Sequence, residues 1–458
     1  MDSPNPKFEP SIIVPGTRAG SAKEAWKLAY PTVIGMLSTT LMWTVDTMML
    51  GRVGKVELAA AGFGGVLVWT LFTFFVGVVQ GVSTFVSQAK GGGRLRECSH
   101  FAWQGLYLAF FSAILLSFFL WKMDLILSVA GLDADVVAEC LRYSRARMSS
   151  AIFLLATFVF HSFFRGIGDM KTPMVISIVS NVVNIILDTV LIFGLGPFPE
   201  LTTLGAGMAT AIADFSAAFL GLAFFLRPAV NRIYHTRREH PFKPKSMLRL
   251  VRVGAPIGGQ FFLDMGSFTV FMSIMGRLGT EALAASQIGV QLLSFSFMPA
   301  NGIAKAGTTM VGQYLGAGKT KLAESCGWMV LRMNVIYSLF VAVVFLLARK
   351  HIFLIFNNDP TVVQYGLQIV PLLALFQIGD AMQMAYSGAL QGAGDTRFPM
   401  ITMALSNWLV FVPLALLFAY TLEWGVVGGW MGGIVHLIVV AIALTLRFRR
   451  GKWKKMAI

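Results

Sequence analysis

A chain of 458 residues that is 56% hydrophobic and 13% charged, with a mean hydropathy of +0.70, has too little polar surface for a soluble globule. Apolar runs near the roughly 20 residues that cross a bilayer recur along its length, and lipid leaves backbone groups no water, so the runs are predicted as α-helices and not barrel strands. A net charge of +15 would by itself suit nucleic acid, but the basic residues fall on one side of a membrane, which excludes that partner.

Residues 1–25 are polar and Pro-rich, lack the basic and apolar regions of a signal peptide, and are read as a cytoplasmic tail. Twelve spans follow, near 26–50, 59–88, 98–121, 145–164, 173–195, 204–226, 249–276, 283–312, 322–348, 364–388, 399–420 and 425–447. Six make a first half, 26–226, and six a second, 249–447. A basic cytoplasmic linker, 227–248, joins them, and 448–458 form a basic cytoplasmic tail. With the N-terminus inside, "KGGGRLR", the linker, "GKTK" and "RFRRGKWKK" all lie inside, whereas the acidic "DADVVAE" falls in an outer loop. This positive-inside bias predicts a multi-pass protein of the plasma membrane, a bacterial inner membrane, with both termini cytoplasmic.

The halves repeat. "YPTVIGMLSTTLMWTVDTMMLGRVGKVELAAAGF" precedes "APIGGQFFLDMGSFTVFMSIMGRLGTEALAASQI" by 225 positions, pairing Pro31 with Pro256 and Gly51-Arg52 with Gly276-Arg277. "STFVSQAKGGG" meets "TTMVGQYLGAG" at the same offset, and the fourth and tenth spans end in "RGIGDMKTP" and "QGAGDTRFP", followed by Asn181 and Asn407. Each half has an even number of spans, so both enter from the same side: a parallel repeat with a pathway expected between the halves. Groups present twice most simply serve the fold, such as the two prolines, the glycines at inner turns, and Asp169 with Asp395.

Ionisable groups present once are candidates for mechanism. Asp46 faces Phe271 in the repeat, Asp188 faces Leu414, Asp264 faces Thr39 and Asp380 faces Leu154, and four such carboxylates at membrane depth are costly in lipid. At about 1.5 Å per residue, Asp46 lies about 7–8 Å inside the outer end of the first span. Asp188 lies in the outer half of the fifth span, with Asn184 on the same face, and Thr210 is near the outer end of the sixth. Four oxygen-bearing side chains thus share one layer, which suits a hard cation or a trapped proton and not a transition metal. Asp264 and Asp380 both fall near mid-membrane in the second half, where paired carboxylates favour a bound cation or one retained proton. Lys305 admits two readings: a lysine snorkelling to the inner surface, or a lumen charge that alters substrate preference.

Other chemistries find no pattern. Cys98, Cys140 and Cys326 are scattered, the six histidines lack metal-ligand spacing, and "GAGKTK" is too short for a Walker loop. No nucleophile or His/Asp cluster marks an enzyme, and no cofactor is expected beyond a coupling ion.

Three motifs together carry a family resemblance. "VDTMMLGRVGKVELAAAGF", the pair "RGIGDMKTP" and "QGAGDTRFP", and "SNVVNIILDTVLIFG" make the chain, over nearly all of 26–447, similar to multidrug and toxic compound extrusion (MATE) transporters. "PIGGQFFLD" and "IGDAMQMAYSGALQGAGDT" resemble the NorM-like branch, which often carries Glu where Asp264 stands. The resemblance implies two six-helix bundles forming a V and cation-coupled antiport, Na⁺ or H⁺ inward against an amphipathic, cationic xenobiotic outward. It assigns Asp46, Asn184, Asp188 and Thr210 to a cation site in the first half, and Asp264 and Asp380 to the acids of the second. The protein is expected to act on small organic cations among membrane lipids, as a monomer. The alternative within the same superfamily is a flippase for lipid-linked precursors, which tends to have extra helices and basic cavities.

Overall fold

The computed structural model describes residues 13–128, 133–356 and 359–456. The first twelve residues of the predicted N-terminal tail and the last two of the C-terminal tail lie outside the described residues. The helices of the first half are α1 (Ala22–Val53), α2 (Lys55–Gln80), α3 (Val82–Gly91), α4 (Leu95–Trp121), α5 (Met123–Ser128), α6 (Ala134–Ser149), α7 (Ala151–Gly166), α8 (Lys171–Phe193) and α9 (Thr202–Leu226). After a short α10 (Pro228–Tyr234) come α11 (Pro244–Leu278), α12 (Thr280–Gly316), α13 (Thr320–Phe356), α14 (Pro360–Ala393), α15 (Arg397–Ser406), α16 (Val412–Leu416) and α17 (Gly425–Arg449). Two π turns, Asn407–Phe411 and Leu417–Thr421, flank α16 and carry one span on from α15.

Among the described residues, eleven stretches are long and apolar enough to cross a membrane, and α6 with α7, bent by 48° at Ser150, makes the twelfth when the pair is taken as one span. The protein is an all-helical, multi-pass membrane protein of twelve spans. The fourth span differs in extent from the predicted 145–164. "DADVVAE" is not a loop: Asp133 precedes α6, and the remainder is its first turns. The charges there misled because α6 is amphipathic. Cys140, Ser144 and Met148, spaced by four, are buried, while Arg142 pairs with Glu139 at 2.8 Å on the outer face.

The chain divides into two compact units. An N-unit comprises Ile34–Lys90 and Arg94–Gly258, and a C-unit comprises Met1–Val33, Gly91–Gly93 and Gly259–Ile458. Both α1 and α11 carry their duplicated proline inside the helix, and each helix changes unit within a turn after it, at Ile34 and Gly259. The repeat recurs in backbone detail. Gly168 and Gly394 turn the chain at φ 88° and 89°, a left-handed conformation costly for any residue with a Cβ. Duplicated asparagines make duplicated contacts: Asn181 donates to Ser38 Oγ (2.8 Å) and Thr39 Oγ1 (3.4 Å), and Asn407 donates to Asp264 Oδ1 (2.6 Å). Thr39 and Asp264 are the paired repeat positions, so one helix-to-helix contact serves both units, with an acid in only one.

Within the C-unit, Glu24 is fully buried. It accepts the backbone N–H of Ile13 (3.0 Å) and Gly20 (2.8 Å), and the Tyr314 hydroxyl lies 2.9 Å from both its oxygens.

Candidate functional site

The N-unit assembles the four predicted site residues from three helices. α1 supplies Asp46, α8 supplies Asn184 and Asp188 one turn apart, and α9 supplies Thr210. Asn184 and Asp188 are fully buried, and Asn184 Nδ2 lies 3.4 Å from Thr210 Oγ1, which donates to the Ala206 carbonyl. The Asp46 and Asp188 carboxyls face each other within interaction range, and Asn184 lies beside Asp188. Yet Asp46 Oδ1, Asn184 Oδ1 and both Asp188 oxygens are buried without a partner at hydrogen-bonding geometry. Such oxygens are costly in a low-dielectric interior, doubly so when they belong to two adjacent carboxylates. A cation among them, or a proton between the acids, removes both costs. The four side chains that the sequence placed in one layer are brought together.

One turn along, Leu50, Ile192 and Ala206 belong to one buried cluster against which Tyr143 packs. Each is four positions from Asp46, Asp188 and Thr210, so the residue four positions after Tyr143 shares their level. That residue is Arg147. Its Nη1 lies 2.5 Å from Asp214 Oδ2, with the Ser150 hydroxyl bonded to the same oxygen at 2.8 Å, and its guanidinium sits 5.6 Å over the Phe72 ring. Both charges are nearly buried, at 12% and 14% exposure, so this is an interior ion pair and not a surface one. The sequence reading missed it. Neither Arg147 nor Asp214 was singled out, and Asp214 is a fifth carboxylate within a membrane-spanning helix. Its signal was present in "MATAIADFSAAF", one acid in an apolar run.

The C-unit site has a different construction. Asp264 on α11 is held by Asn407, at the start of the first π turn, where the wider helical turn interrupts the α-helical ladder. Next to it, Ser406 Oγ and His436 Nδ1 share a hydrogen bond of 2.8 Å. Asp380 on α14 is half-buried and within electrostatic reach of Asp264. Lys305 lies half-buried on α12, its carbonyl accepting from Thr309 Oγ1 at 3.3 Å.

This architecture matches known proteins along its length. The MatE family model matches twice, at residues 31–190 and 256–417, once for each half. The chain is 29% identical over 441 residues to a probable multidrug resistance protein NorM of Thermotoga maritima, covering 95% of this chain and 94% of that one. It is 30% identical over 433 residues to a protein of the same description from Pseudomonas putida, covering 93% and 94%. Among solved structures, a MATE crystallised with MaL6 superposes with a TM-score of 0.88 at 20% identity, over 94% of this chain and 96% of that one. The chain belongs to the MatE family, as a NorM-like transporter and not an enzyme.

Proposed function

We propose that this transporter is a cation-coupled antiporter, in which Na⁺ or H⁺ moving inward drives export of amphipathic, cationic drugs or xenobiotics across a bacterial inner membrane. The observation that carries this reading is the buried oxygen cluster of Asp46, Asn184, Asp188 and Thr210, whose crowded carboxylate and amide oxygens suit one small hard cation or one proton. The multidrug resistance description of the two relatives supports drug export. Exchange requires competition: the coupling ion and the substrate favour different conformers, so binding of one promotes release of the other through alternating access. Asp264 and Asp380 take the organic cation or a second ion, and Lys305 either snorkels to the inner surface or adjusts the charge they present. The protein works as a monomer without a resident cofactor, both termini cytoplasmic, as the basic inner segments support.

The test is dye efflux from proteoliposomes under an imposed Na⁺ gradient and then an imposed pH gradient. One gradient should drive efflux, and Asp46→Asn and Asp188→Asn should abolish that drive while the purified variants stay folded. Efflux indifferent to both gradients, or wild-type rates in both variants, would overturn the reading.

A further inference from the structure

The Asp46–Asp188 layer contains a cation of its own. Four turns of neighbouring helices, marked by Leu50, Ile192, Ala206 and Tyr143, set Arg147 at the level of Asp46, Asp188 and Thr210. Asp214 lies one turn along α9 from Thr210 and holds Arg147 by an ion pair, with Ser150 bonded to both partners. Ser150 is also where the fourth span breaks and bends. The guanidinium is therefore fixed at three points, by a carboxylate, a hydroxyl and the Phe72 face. The guanidinium also lies within electrostatic reach of Asp46, whose carboxyl faces that of Asp188.

We infer that Arg147 and Asp214 are specificity-determining residues of the Asp46–Asp188 site: Arg147 sets a fixed positive field that lets the site take one monovalent cation and release it, and Asp214 limits that field. This rests on the cation-coupling reading above. With all groups ionised, Asp46, Asp188 and Asp214 outweigh Arg147 by two negative charges, so one monovalent ion leaves the layer still attractive but weakly so. Without Arg147 the layer would hold its ion too tightly to exchange. Without Asp214 the arginine would stand unopposed beside the acids and repel the incoming ion. Field effects of a unit charge at this range, in a protein interior, are about five-fold in affinity or more.

The two substitutions therefore act in opposite directions. Purified protein in detergent is titrated with Na⁺ at fixed pH and with H⁺ at fixed ionic strength, reading intrinsic tryptophan fluorescence. Trp43, one turn before Asp46 and edge-on to Trp69 at 5.8 Å, places a reporter near the site. For whichever ion gives a saturable response, Arg147→Gln should lower the half-saturating concentration about five-fold or more, and Asp214→Asn should raise it by a similar factor. The paired variant Arg147→Gln/Asp214→Asn, which removes both charges, should return to within about two-fold of the wild type. Shifts of the two single variants in the same direction, or no shift in either, would overturn the inference and leave the pair a helix brace. If one single variant is unfolded, the direction of shift in the other decides, and a paired variant more than about two-fold from wild type overturns the field account. A wild type that responds to neither ion, or an Asp46→Asn variant that titrates like wild type, would instead overturn the coupling reading itself.

Discussion

Phe271 shows what the fold requires at the position that Asp46 holds in the other half. Its ring is fully buried in the C-unit core, 5.3 Å from Phe411 and 5.1 Å from Trp430, so a large apolar side chain serves the packing there. An acid at Asp46 therefore gives up packing, a cost in lipid that the proposed cation site would offset. The same comparison runs the other way at Asp264, where the repeat offers Thr39 and the asparagine contact survives. Because Asp264 and Asp380 interact, Asp264→Asn and Asp380→Asn should each raise the KM for a cationic dye, and the double variant should fall short of the summed losses by about 0.5–3 kcal/mol. Lys305→Gln, measured alongside, separates the two readings of that lysine: a lower KM for the cationic dye alone marks a lumen charge, and an unchanged KM marks a lysine that snorkels to the inner surface. Efflux kinetics in proteoliposomes read all of these, and additive losses would separate the two acids.

At the scale of elements, the basic linker is more ordered than its composition suggests. α4 presents Ser99, Trp103, Gln104 and Tyr107 to the carbonyls of Tyr234, Thr236, Pro241 and His240, at 2.6, 2.8, 2.8 and 2.6 Å. The predicted loop 227–248 is thus strapped along a helix, with α10 and the start of α11 folded out of it. Its exposed arginines, Arg237 and Arg238, are trypsin sites whose cleavage reports how often the strap opens. Each lost side-chain hydrogen bond is worth about 1 kcal/mol, so Trp103→Phe combined with Gln104→Ala should speed cleavage there by roughly an order of magnitude. Unchanged cleavage would mean that the linker is held by contacts other than these. The bend at Ser150 is an element-scale feature of a different kind. No proline or glycine announces it, and it coincides with the Arg147–Asp214 pair.

At the scale of the whole molecule, duplication governs which substitutions hurt equally. Gly168 and Gly394 occupy the same left-handed turn in the two halves, so Gly168→Ala and Gly394→Ala should each cost about 1–2 kcal/mol and lower the Tm of the purified protein by similar amounts. Unequal losses would show that one half tolerates a Cβ that the other does not. The duplicated aspartates that follow have diverged: Asp169 accepts from Lys171 and Thr172 at the start of α8, whereas Asp395 pairs with Arg447 at 2.7 Å.

Twelve spans, the repeat and the four-residue acid layer were all legible in the chain itself, for one physical reason. In lipid a helix must satisfy its own backbone, so apolar length marks the spans, and an isolated carboxylate within them stands out against its cost. Helical rise then converts sequence position into depth, which is why Asp46, Asp188 and Thr210 could be assigned to one level. Depth is not direction, however. Which faces of α1, α6, α8 and α9 turn toward one another depends on side-chain packing between helices far apart in sequence, such as Tyr143 among Leu50, Ile192 and Ala206. Only the tertiary structure could therefore set Arg147 beside the acids, join it to Asp214 67 residues away, and put Asn407 on Asp264.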